Sequence, residues 1–201
     1  MSKTTLSILT FWPVFLALVL GFSPQLPAIV ISPNEHQVQE ALKQGEEAAK
    51  AKIPPKDLYW RFGPQEDLKP HGFLMTKMKG LTVMSSHFAL RSEKPSPQDI
   101  EQILNGSELQ VSVTVFGSSP QFAVDSYVVL KQRDVLVKPQ RVRSDARASR
   151  SSSWPDPPAY QAKIVASFPY GTFDPTGLTS VVVFPGEGGE INFEMNFSNI
   201  P

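Results

Sequence analysis

Residues 109–116 read Leu-Gln-Val-Ser-Val-Thr-Val-Phe, and this alternation constrains the fold more than any other stretch. Leu109, Val111, Val113 and Val115 fall on one side of an extended chain, and Gln110, Ser112 and Thr114 on the other. Successive side chains of a strand point to opposite faces, so a period of two makes one apolar and one polar face. Val and Thr suit a pleated surface. Gly117, Ser118, Ser119 and Pro120 stop the run. An isolated strand cannot bury its apolar face, so the remaining chain must supply a sheet and a cover.

Beyond Pro120 the chain continues as a strand series. Residues 127–130 and 135–137 flank Lys131, Gln132, Arg133 and Asp134, which predicts a hairpin without the usual turn glycine. Tyr160, Ala162, Ile164, Ala166 and Phe168 alternate with Gln161, Lys163 and Ser167. Asp174, Pro175, Thr176 and Gly177 match a type I turn, with Asp first, Pro second and Gly fourth. Residues 179–184 form the next strand. Ile191, Phe193, Met195 and Phe197 alternate with polar neighbours in the last. Residues 140–158 are rich in Arg, Ser and Pro and nearly devoid of apolar side chains, which predicts a disordered basic insert.

The first half is helical at two places. Ser32, Pro33 and Glu35 read as a capping box ahead of Val38, Ala41, Leu42, Gly45, Ala48 and Ala49 at helical spacing. Pro54 and Pro55 close that helix. Ser96, Pro97 and Asp99 begin a second one, with Ile100, Ile103 and Leu104 as its buried stripe and Asn105-Gly106 as its stop. Residues 72–90 fit two patterns. Met75, Met78, Leu81, Met84, His87 and Phe88 recur at helical spacing with Thr76 as a cap, whereas residues 81–83 suit a short strand. The fold expected is α+β: an antiparallel β-sheet or β-sandwich of about five to seven strands, with two N-terminal helices packed against it.

Residues 1–28 read as a signal peptide, or as a retained anchor: Lys3 is their only charge and residues 6–22 are apolar, broken by Pro13. Residues 29–201 would then form a single domain carrying the basic insert at 140–158. The localisation expected is export to the periplasm or the exterior, with membrane attachment where the first segment is kept.

Charge and cysteine content narrow the chemistry. Lys plus Arg and Asp plus Glu both number 19, so no global field draws the chain to nucleic acid. The sequence has no cysteine, which removes disulfides, thiolate catalysis and thiolate metal sites. No Gly-x-Ser-x-Gly elbow, His-Glu-x-x-His pair, calcium loop or phosphate loop occurs. His71 and His87, sixteen apart, match no familiar ligand spacing. Asp57, Glu66 and Asp67 near Trp60 have no spacing that singles out a carboxylate pair. No catalytic residue, cofactor or metal is assigned.

One asymmetry stands out. Lys138, Arg141, Arg143, Arg147 and Arg150 are opposed by Asp145 alone. Such a segment is either a solvated insert or an anion-contacting loop for lipid head groups or an acidic partner. The function expected is therefore a non-catalytic binding or interaction module of the cell envelope, with an envelope protein or an anionic surface as partner. Membrane contact requires retention of residues 6–22 or head-group binding by the basic loop. The competing readings are a membrane-anchored structural component and a hydrolase whose site the sequence does not reveal.

Overall fold

The alternation at 109–116 becomes the central strand of the larger of two sheets. In the computed structural model, which describes residues 28–200, Leu109, Val111, Val113 and Val115 are all 0% exposed. The expected export segment lies outside the described residues except for Ala28. No helix among the described residues is long and apolar enough to cross a membrane.

Three α-helices and ten strands occur among the described residues. They run α1 (Glu35–Lys50), β1 (Trp60–Phe62), β2 (His71–Met75), α2 (Lys77–Leu90), α3 (Pro97–Leu104), β3 (Glu108–Gly117), β4 (Tyr127–Gln132), β5 (Val135–Val137), β6 (Arg141–Ser144), β7 (Ser149–Arg150), β8 (Tyr160–Pro169), β9 (Leu178–Phe184) and β10 (Ile191–Asn196). The molecule is α+β, with antiparallel sheets of six and four strands. The first has the order β1-β2-β3-β8-β6, with β7 also on β8, and the second β10-β9-β4-β5. Both sheets contribute apolar side chains to one buried cluster, which includes Val111, Ile164, Phe168, Leu130, Val181 and Phe193. Phe62 of β1 meets Phe193 of β10 edge-to-face at 5.0 Å, a direct link between the sheets.

A third helix exceeds the two expected. Residues 72–90 hold the end of a strand and then a helix, with the strand earlier than the 81–83 alternative placed it. The strand β2 ends at Met75, Thr76 is extended at φ −84° and ψ 166°, and its side chain accepts from the Lys79 N–H to open α2. One capping residue thus switches the chain from a period of two to a period of 3.6. The strand alternative at 81–83 is not realised. The first helix also starts later than the Ser32 cap implied. Asn34 caps it, accepting from Gln37 N–H while the Gln37 side chain accepts from Asn34 N–H, both at 2.9 Å. It ends before the prolines, at Lys50, with Ala51 as its cap and Lys52 just beyond at φ 56°.

Residues 140–158 are not a disordered insert. They carry β6 and β7, both paired with β8. Backbone bonds hold the segment: Gln140 N–H to Ser167 O at 2.8 Å, Ala148 N–H to Pro120 O at 2.8 Å and Ser151 N–H to Ala159 O at 2.9 Å. Main-chain pairing needs no apolar side chains, so composition misread this stretch. The hairpin of β4 and β5 does form as expected. Gln132 faces Val135 across a two-residue turn, and Arg133 takes the left-handed conformation at φ 52° that a glycine would normally supply.

Candidate functional site

The five basic residues do not meet in one loop. Arg141 and Arg143 alternate on the exposed side of β6, opposite Ser167 and Val165 of β8. Lys163 of β8 shares that face. Lys138 lies in the β5–β6 connection and Arg147 in the β6–β7 connection, both exposed. Arg150 of β7 faces Tyr160, at the far end of β8, with the opposite side-chain parity. The partners of Arg150 and Arg141 lie seven positions apart on β8, about 23 Å of strand. The cations form a stripe along the sheet edge. Arg150 covers the ring of Trp154 at 4.0 Å, and that indole stays 43% exposed. Arg141 approaches Glu108 of β3 at 3.8 Å.

The solvent-side face of the six-stranded sheet is more covered than a simple inside–outside alternation implies. One row across it reads Arg61, Phe73, Ser112, Val165, Arg143. Ser112, between Phe73 and Val165, is 5% exposed. Tyr59 stacks on Phe73 with ring centroids 4.4 Å apart. Phe62 enters the core while Arg61 stays outside, donating to Asp57 and to the Lys56 carbonyl. The aromatic stretch at 58–62 is therefore structural, and Asp57 is engaged by Arg61 rather than facing Glu66 or Asp67. Asp67 accepts from Ser152 at 2.7 Å, tying the β7–β8 connection to the β1–β2 loop.

Where this face meets α2 and α3, a cleft of about 390 Å³ opens. Met75, Met84 and Ile103 give it apolar walls; Lys77, His87 and Glu108 add polar groups. Met75 and Met84 line this cleft, Met78 and Met84 also pack against the buried cluster of Val38, Ala41 and Leu81, and His87 is exposed. Lys77 Nζ donates to the Leu104 carbonyl at 2.5 Å and lies 5.4 Å from the Tyr170 ring centre. Burial pushes the Tyr170 hydroxyl up to about 12, against a smaller opposing pull from the Lys77 backbone. Among the described residues that hydroxyl has no partner within ordinary hydrogen-bond geometry. A phenol held there stays protonated at neutral pH and cannot serve as a general base. Tyr170, Lys77 and Glu108 come from three distant segments, and no local spacing in the sequence could have grouped them.

Among the described residues, no three His, Asp or Glu side chains gather closely enough to hold a metal ion. No protein-family model and no curated protein matches the chain.

Proposed function

We propose that this protein is a non-catalytic interaction module of the cell envelope, exported through its N-terminal segment, and that its two sheets are paired as a β-sandwich. The observation that carries the reading is the stripe of Arg141, Arg143, Arg147 and Arg150 exposed along the β6–β7 edge of a chain with balanced charge. The edge matches an anionic surface or an acidic envelope partner in charge, and its arginines keep their heads in water. Charges on an edge strand also block edge-to-edge aggregation; the test separates that role from recognition.

Vesicles of phosphatidylglycerol are the probe. The protein is expected to bind them at low salt and to release as salt rises, because exposed charges are screened over about 8 Å at physiological ionic strength. Reversing Arg141, Arg143, Arg147 and Arg150 to Glu abolishes that binding while far-ultraviolet circular dichroism stays native. Wild-type protein that ignores these vesicles at low salt defeats the anionic-surface form of the reading. Co-purification from the native envelope then tests for an acidic protein partner.

A further inference from the structure

A second surface, independent of the arginine stripe, lies at one end of the four-stranded sheet. Leu178, the first residue of β9, is 72% exposed, and Val135 and Leu136 of β5 are each 60% exposed. Arg133, in the hairpin turn, and Leu178 both line two adjoining concavities of about 550 and 290 Å³. Lys131 borders the first and Val135 the second. The result is an apolar tip flanked by Lys131 and Arg133, with Asp134 in the same exposed turn and Glu194 on the wall of the first concavity. Lys and Arg can lay their stems along apolar matter and keep their charges in a head-group layer.

The chain enters the fold at this same end. Ile29 is 2% exposed, and its N–H donates to the Pro175 carbonyl at 3.2 Å, three residues before Leu178. Ala28 lies six positions after Phe22, where the apolar run of residues 6–22 ends. Fully extended, six residues reach about 20 Å at most. The described chain thus begins, six positions after the most apolar segment of the sequence, at the end that bears the most exposed aliphatic side chains of the described fold.

We infer that the tip formed by Val135, Leu136 and Leu178 rests in the lipid interface of the membrane that residues 6–22 enter. The inference rests on the envelope location proposed above, and it favours retention of the N-terminal segment as an anchor. The occupant of the apolar tip is the bilayer. Burying these side chains among acyl chains removes apolar area from water.

The absence of cysteine makes the test clean, because one introduced thiol is unique. Full-length protein carrying Leu136→Cys, Leu178→Cys or Glu190→Cys is labelled with an environment-sensitive fluorophore and mixed with phosphatidylcholine vesicles. These carry no net charge, so the arginine stripe does not drive binding. Labels at 136 and 178 should shift to shorter wavelength and be quenched by lipids brominated near the head group. The label at 190, beyond the opposite end of β9, should remain water-like. The quadruple Arg-to-Glu variant should show the same shifts, so failure of the anionic reading and failure of this one are distinguishable. Vesicle-bound protein with water-like labels at 136 and 178 overturns the inference. A shift that appears without lipid and grows with protein concentration overturns it in favour of a second copy. Native protein recovered without residues 1–27 and free of membrane overturns it as well.

Discussion

The sheet pair and the helix pair solve the same burial problem by different means. In the buried cluster to which both sheets contribute, large aliphatic and aromatic side chains do the packing. Leu109, Val113, Ile164 and Val181 are all 0% exposed, and each such side chain contributes roughly 1.5–3 kcal/mol by leaving water. Between α1 and α2 the contact is made by small residues. A Cβ added at Gly45 would sit 2.3 Å from the Thr82 carbonyl oxygen and 2.6 Å from Ser85 Cβ. Ser85 donates to the Leu42 carbonyl at 2.6 Å, and the buried apolar members of that cluster are Val38, Ala41 and Leu81. The sheets are held by area, and the helices by close approach. An area-held core fails when charge enters it, whereas a close-approach contact fails when volume is added.

The largest test of this contrast is in the sheet. Val113→Asp places a charge in the centre of the shared cluster and should cost about 4 kcal/mol or more in a denaturant series. Thr114→Asp, on the opposite face and flanked by His71 and Lys163, should cost about 1 kcal/mol or less. Equal losses would show that both faces are sealed and that area does not separate them.

Next is Gly45→Ala. In an open helix this change gains up to about 1 kcal/mol. Here the new methyl meets backbone atoms that cannot turn aside, so a net loss of about 1–2 kcal/mol is expected. A gain in melting temperature would show that the helices are not in close contact.

Two neighbouring serines give a smaller and sharper comparison. Ser85→Ala removes a hydrogen bond between the helices and should cost about 1 kcal/mol. The Ser86 hydroxyl is buried without a partner among the described residues, so Ser86→Ala should be neutral within about 0.5 kcal/mol, or stabilising. Identical effects would refute the assignment of the interhelical bond to Ser85.

The smallest effect concerns pH. Ser96 donates to Asp99 from its hydroxyl at 2.6 Å and from its N–H at 2.8 Å, which holds that carboxyl below its ordinary value. A carboxyl lowered in the folded state stabilises fully above its unfolded value, near 4, and the contribution is lost as pH falls through the folded value. Acid titration should therefore fray α3, and Asp99→Asn should remove that pH dependence. An unchanged acid profile in the variant would show that the cap does not depend on ionisation.

Local patterns carried a good deal of this architecture. The alternation at 109–116 located the central strand, and the alternations after Tyr160 and Ile191 located β8 and β10, because a strand's period is written in adjacent residues. Ser96, Pro97 and Asp99 marked the start of α3 within four residues, and the structure closes Ser96 and Asp99 into a capping box. Residues 72–90 defeated the same reasoning because two periods are joined there without a break in composition. Residues 140–158 defeated it because their order comes from backbone pairing with β8.

The sequence by itself determined that this chain is an α+β protein rich in antiparallel strands, that no cysteine chemistry is available to it, and that its positive charge is concentrated between Lys138 and Arg150. Tertiary structure alone decided where those charges went. Pairing with β8 drew them into a stripe with Arg141 and Arg150 at opposite ends, and set Glu108 beside Arg141. It also brought Tyr170 against Lys77, and set Leu178 near the point where the chain enters. Periodicity and capping act over a few residues and can be read from their order, whereas strand pairing joins residues far apart in the chain and depends on which surfaces remain to be buried.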